Sequence, residues 1–193
     1  MRDSPALFTQ IRQPTSSYLA MPEVSSGTRT YIPVALLPAS TIASNKLICW
    51  PTDDLRLFAL LSSRAFTTWQ DSVGGKLKSD YSLSPELSYC TFPMPEDTPA
   101  SRRRLESLAQ GVLDARAAHP GATLAQLYDP LGMPNDLLAA HRKLDSAVDR
   151  QVTGTVRSGQ GVRLPALLKA YQALSGEHEL LLAGGSSSTA ELE

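Results

Sequence analysis

Lys76, Lys78, Asp80 and Tyr81 crowd into one short stretch, SVGGKLKSDYS (Ser72 to Ser82), behind a pair of glycines. Ammonium groups beside a glycine hinge are suited to holding phosphate. The nucleotide-binding loop that does this has a glycine five positions before its Gly-Lys pair and a Ser or Thr just after it. Here Gln70 and Leu77 occupy those positions, and the stretch follows a helical pattern where such a loop would follow a strand. The cradle is rejected, and the ammonium and carboxylate groups need another use.

Other chemistries fare no better. A nucleophile elbow, G-x-S-x-G, does not occur. The serine pairs Ser25-Ser26 and Ser62-Ser63 have no histidine nearby. Asp53-Asp54 precedes an apolar run and reads as a helix cap rather than a pair of catalytic carboxylates. His119, His141 and His178 are far apart, and Cys49 and Cys90 form no C-x-x-C pair, so no metal site is expected. No glycine fingerprint for a dinucleotide follows a strand. Neither catalytic nor cofactor-binding residues are expected, and the chain reads as a recognition or packing unit.

Composition narrows the setting. With 193 residues there is room for one larger domain or two small ones. A net charge of -1 provides no overall basic field, so any nucleic-acid contact must be local. No apolar run reaches membrane-spanning length, and no charged-then-apolar leader opens the chain; a cytoplasmic location without membrane contact is expected. Both cysteines are then expected to be reduced and buried.

These residues need elements to hold them. YLAMPEV (Tyr18 to Val24) and TYIPVALL (Thr30 to Leu37) are β-prone runs separated by SSGTR, which suggests a tight turn. Pro22 and Pro33 make these strands edge-like or bulged. Ala43 to Pro51 supplies a third strand. Leu55, Phe58, Leu61, Ala65 and Trp69 then recur at helical spacing, started by Asp53 or Asp54 and closed by Gly74-Gly75. Ser88 to Pro95 predicts a short strand. After the hinge PEDTPAS (Pro95 to Ser101), the spacing predicts only helices. Ser101 caps one through Leu105, Leu108, Val112 and Ala115, and His119 near its end complements the helix dipole. Thr123 caps a short turn, Pro134 starts a helix through Leu137 to Val148, and Leu164 to Leu174 form a last helix ended by Ser175-Gly176. The expected class is α+β, a small mixed α/β domain followed by an all-α helical bundle. Its divisions are 1–98, 99–176 and a disordered tail at 177–193.

The runs YLAMPEVSSGTRTYIPVALL, IASNKLI and LFALLSSRAFTTWQDSVGGKLKSDYSLSPELSYCTFPMPE, in that order, resemble the target-recognition domain of the MmeI-like, type IIL, family of DNA methyltransferase and restriction enzymes. LAQGVLDARAAHPGATLAQLYDPLGMPNDLLAAHRKLDSAVDR is similar to the helical C-terminal domain of the same family, with LYDPLGMP its most distinctive word. The sequence departs from the family at Ser82, where an arginine is common, and at Cys90, where Tyr-Asn-Thr-Phe-Pro is common. The resemblance implies an S-adenosylmethionine-dependent adenine-N6 DNA methyltransferase, usually fused to an endonuclease. The Asp/Asn-Pro-Pro-aromatic tetrapeptide of its catalytic core is not in this sequence. The chain is therefore expected to be the DNA-reading portion, incomplete at its N-terminus, with double-stranded DNA and a methyltransferase core as partners. A non-catalytic structural or protein-interaction fragment, or a degenerate remnant that no longer binds DNA, is the competing expectation.

The resemblance implies that Lys78 and Asp80 choose the base pair that is read. The chemistry agrees: lysine donates to guanine O6 and N7, and aspartate accepts from cytosine N4. On an extended loop both side chains would project to one side. Lys76 would touch phosphate, Gly74 and Gly75 would let the backbone approach the duplex closely, and Tyr81 lies in the same contact. Ser25, Ser26 and Arg29 form a second cluster suited to phosphate oxygens, or simply a polar turn. Arg102 to Arg104 begin a helix, where cations oppose the dipole; a solvated face or a partner contact accounts for them. The isolated chain is expected to bind no S-adenosylmethionine and to transfer no methyl group to DNA. Heat released on titrating the cofactor into the chain would show that expectation to be wrong.

Overall fold

The computed structural model describes residues 13–154 and 159–184, with side chains through Gly176. The chain runs β1 (Tyr18–Pro22), β2 (Val24–Ser25), β3 (Ala35–Leu37), β4 (Leu47–Trp50), α1 (Leu55–Leu61), α2 (Arg64–Val73), β5 (Gly75–Leu77) and β6 (Asp80–Ser82). It continues through α3 (Pro99–Ala117), α4 (Leu124–Leu127), α5 (Asn135–Thr153) and α6 (Gln160–Gly184). Small antiparallel sheets followed by helices make it an α+β fold. No helix among the described residues is long and apolar enough to cross a membrane.

Two short sheets divide the first half. One has the order β3-β1-β4, the other β2-β6-β5. In β1 Tyr18, Leu19, Ala20 and Met21 are all buried, so this continuous apolar run is the central strand. Pro22 closes it and costs the ladder little at a strand end. The two β-prone runs pair only at their far ends, Tyr18 with Leu37 and Ala20 with Ala35. Val24 and Ser25 leave for the second sheet. Thr30 to Val34 form no strand, since Pro33 has no N–H to give, yet Tyr31, Ile32 and Val34 are buried.

Other expectations are corrected. The helical stripe over Leu55 to Trp69 is two helices, because the Ser63 hydroxyl accepts from the Phe66 N–H and starts α2 afresh. Asp54 does cap α1, accepting from Arg56 and Leu57. The strand expected over Ser88 to Pro95 does not form. Ser84 caps a wide π turn over Pro85–Tyr89, closed by Cys90 N–H donating to the Pro85 carbonyl, and prolines follow. Cys90 at its end is exposed and Cys49 is half-buried, so neither is a fully buried thiol. Thr98, not Ser101, caps α3; Ser101 completes the reciprocal bond three residues on. Helix α6 runs past Ser175-Gly176 to Gly184, because one interior glycine costs only about 1 kcal/mol among strong helix formers. Residues 177–184, expected within a disordered tail, are therefore helical, and 185–193 lie outside the described residues.

One buried cluster serves both halves. It joins Leu19 and Met21 to Phe58 and Leu61 of α1, Trp69 of α2, Leu105 and Val112 of α3, Leu137 and Leu144 of α5 and Leu167 of α6. A polar seam crosses it. Asp145 of α5 accepts from the Tyr31 hydroxyl at 2.7 Å and from the Arg64 N–H at 2.8 Å, placing a carboxylate at the start of α2. Tyr31 stacks on His141 with ring centroids 4.1 Å apart. Arg116 donates to the Tyr128 hydroxyl and to the Val34 carbonyl. Arginine only donates, so the Tyr128 proton is free for Nε2 of His141, 2.6 Å away, which makes that imidazole neutral with its proton on Nδ1. At the hinge, Arg102 reaches Asp54 and Asp97, which accounts for the first of the three arginines; Arg103 and Arg104 are exposed. Deeper in the helices, Arg163 and Asp149 form a buried two-pronged pair at 2.7 and 2.8 Å.

Burial pushes Asp145 up from 3.8 to about 6. Burial, helped by Arg116, pushes His141 down from 6.5 to about 3. Their linkages oppose. As pH falls from about 6 to about 4, the folded chain holds a proton on Asp145 that the unfolded chain has released, which favours folding. Over the same range the unfolded chain protonates the histidine that the folded chain keeps neutral, which opposes folding. The seam therefore gives the wild type little net slope. In Asp145→Asn the histidine term stands alone, and stability should fall by about 1.4 kcal/mol per unit of acidification. Urea unfolding at pH 6 and 4.5 checks this; equal slopes in both proteins would show that Asp145 is ionised throughout.

Candidate nucleic-acid interface

The glycine-hinged stretch is not an extended loop. Gly75–Leu77 and Asp80–Ser82 pair as a hairpin, with Leu77 opposite Asp80 and Lys78-Ser79 as a two-residue turn. Such turns need a positive φ at the first central residue, and Lys78 has φ 59°. It is the one non-glycine with positive φ among the described residues. A lysine held there costs on the order of 1 kcal/mol where glycine would be unstrained.

Alternation along the strands sorts the side chains. Tyr81 faces inward, only 7% exposed, and burial pushes its phenol up. Lys76, opposite Tyr81, pairs with Asp71 at 2.8 Å, which holds its ammonium above the usual range. Leu77 and Asp80 share the other face. Lys78 is exposed at the tip and Asp80 is half-buried beside it. Tyr81 is thus corrected from a surface contact to a core residue. Gly74 is corrected as well: a side chain there would meet the Gln70 amide at 2.1 Å, so the glycine serves internal packing. At Gly75 a Cβ would stand 3.2 Å from the Ser82 carbonyl.

Gln70 is the residue that sequence reasoning missed. It is fully buried on α2. Its amide nitrogen donates to the carbonyls of Gly75 and Ser82, one on each hairpin strand, and its oxygen accepts from Ser88. A lone glutamine in a helical stripe reads as a solvated position, and nothing in its spacing marks it otherwise.

The second cluster lies beside the hairpin, because β2 pairs with β6 and sets Ser25 opposite Tyr81. Ser25 is 2% exposed, so it too is corrected from surface contact to interior. Ser26 and Thr28 share a hydroxyl hydrogen bond at 3.0 Å, and the Arg29 N–H donates to the Ser26 carbonyl. Arg29 is half-exposed. At the top of this turn the Gly27 N–H donates to Oδ1 of Asp80 at 3.2 Å. The two polar stretches, far apart in sequence, are therefore one surface.

The chain is similar to known proteins in sequence and in fold. Residues 1–96 match the MmeI target recognition domain and residues 97–179 the MmeI C-terminal domain. DNA methyltransferase A of Bacillus subtilis (strain 168) is 38% identical over 172 residues, which is 89% of this chain and 20% of that protein. The solved structure of the type IIL restriction-modification enzyme MmeI in complex with DNA is similar with a TM-score of 0.84 and 37% identity, over 91% of this chain and 24% of the other. The chain thus spans about a fifth to a quarter of these relatives.

The hairpin geometry gives opposite expectations for its strained and its anchoring residue. Lys78→Gly should raise stability by up to about 1 kcal/mol, because only the lysine is strained at φ 59°. Gln70→Leu should lower it by about 2–4 kcal/mol, leaving two strand carbonyls unpaired. Thermal unfolding of the two variants checks both signs.

Proposed function

Because the chain belongs to the MmeI family as its target recognition and C-terminal domains, we propose that it is the sequence-reading module of an adenine-N6 DNA methyltransferase of the restriction-modification type. The parent enzyme binds S-adenosylmethionine in a methyltransferase core, and this module holds double-stranded DNA against it. The observation that carries the reading is the anchored hairpin, with a strained lysine at its exposed tip and an aspartate beside it. Backbone strain persists where something over-determines it, and such places are commonly ligand contacts.

Lys78 donates to guanine and Asp80 accepts from the cytosine amino group of the same pair, the pattern that distinguishes G·C in the major groove. Lys76 leaves Asp71 for a phosphate oxygen, which positions the module without specifying sequence. Ser26 and Arg29 on the neighbouring turn add backbone contacts. The helical half keeps the hairpin in place through the shared core and does not itself read bases.

The test is a chimera in which this chain replaces the matching portion of a catalytically complete relative, with methylated positions mapped in cellular DNA. Lys78→Glu with Asp80→Arg should move the preference at one position from G·C toward C·G, a discrimination of about 1–3 kcal/mol. Lys76→Ala should weaken binding to all sequences alike and reduce its salt dependence. An unchanged methylated site in the double variant would refute base reading by this hairpin.

A further inference from the structure

Asp80 does not present a free carboxylate. Its Oδ1 accepts the Gly27 N–H at 3.2 Å, across a long interval of sequence. Gly27 sits there because it has no side chain: a Cβ would lie 2.1 Å from the Ser79 carbonyl oxygen and 3.3 Å from its carbon. The obstacle is hairpin backbone, which cannot rotate away as a side-chain end could. The turn carrying Gly27 is itself stiff. The Arg29 N–H donates to the Ser26 carbonyl at 3.2 Å, and Ser26 and Thr28 are bonded through their hydroxyls. Gly27 is not in the left-handed region, so space and not backbone freedom demands a glycine.

We infer that Gly27 is a specificity-positioning residue: its N–H takes one oxygen of Asp80, fixes the side-chain rotamer, and leaves the other oxygen as the single acceptor offered to a base. A carboxylate with both oxygens free could rotate to accept from several neighbours and would discriminate less sharply. One oxygen held by a rigid backbone donor gives a single direction of acceptance, matched to one amino group. This inference rests on the reading of Asp80 as a base contact.

Two measurements test it. In the chimera, Gly27→Ala should lower discrimination at the Asp80-dependent position roughly tenfold, with the other positions of the site unchanged. In an Asp80→Ala background the same substitution should add nothing at that position. A global loss of methylation with unaltered preference would mean a merely structural glycine and would overturn the proposal. The second measurement does not depend on Gly27→Ala folding. In the 193-residue chain, exchange of the Gly27 amide hydrogen should be at least about tenfold faster in Asp80→Ala than in the wild type, since the acceptor is removed. Equal exchange rates would overturn the latch directly. If the Lys78→Glu, Asp80→Arg swap moves the preference while Gly27→Ala does not, the latch fails and base reading survives. If the swap moves nothing, base reading itself has failed, and the role assigned to Gly27 falls with it.

Discussion

The amide of Gln70 is the interaction on which the exposed surface depends. A hairpin of two three-residue strands has little stability of its own in water. Here both strands hang by their carbonyls from one buried side chain, whose two N–H donors are both used and whose oxygen is held by Ser88. Gly74 lets the chain turn tightly over the amide. Helix α2, which carries Gln70, is in turn held at its start by Asp145 from the helical half. A carboxylate on α5 and a hairpin tip are thereby two ends of one rigid helix, and the bundle supports the surface from behind.

This arrangement explains why two halves that look separable in sequence share one interior. Tyr31 leaves the first half to stack on His141 and bond Asp145; Arg116 leaves the second half to bond the Val34 carbonyl. Tyr31, Asp145, Arg116 and the Val34 carbonyl are buried or half-buried, and each has a hydrogen-bond partner in the other half. Burial without that partner would cost several kcal/mol apiece. Separating the halves would expose an apolar face on each and would break this network at the same time.

Much of the fold was legible beforehand, and the failures have physical causes. Asp54 and Thr123 announce helix starts because their side chains can accept from freed N–H groups, and both do. The second half reads correctly as helical because long amphipathic stripes are a strong signal. Ser63 and Thr98 do not stand out as caps because Asp54 and Ser101 offer the same chemistry nearby. The strand expected near Ser88 fails because apolar β-prone residues cannot form a ladder between prolines. Of the surface, the tip residues Lys78 and Asp80 are legible through a family resemblance and base-edge chemistry. Gln70 and Gly27 are not, because their roles come from contacts made by tertiary packing, to strand carbonyls and to a distant carboxylate.

The shared interior also has a consequence for synthesis. The core is complete only when α6, which carries Leu167, packs on α2 and α5, and α2 receives its start-of-helix carboxylate from α5. While the chain is being translated, the first half emerges with Leu19, Phe58 and Trp69 lacking the helices that will cover them. Contacts this distant in sequence form slowly. Until α6 leaves the ribosome, the nascent strands are open to pairing with other chains. The strands of this half are short, several of them bounded by prolines, which makes them a poor template for such pairing.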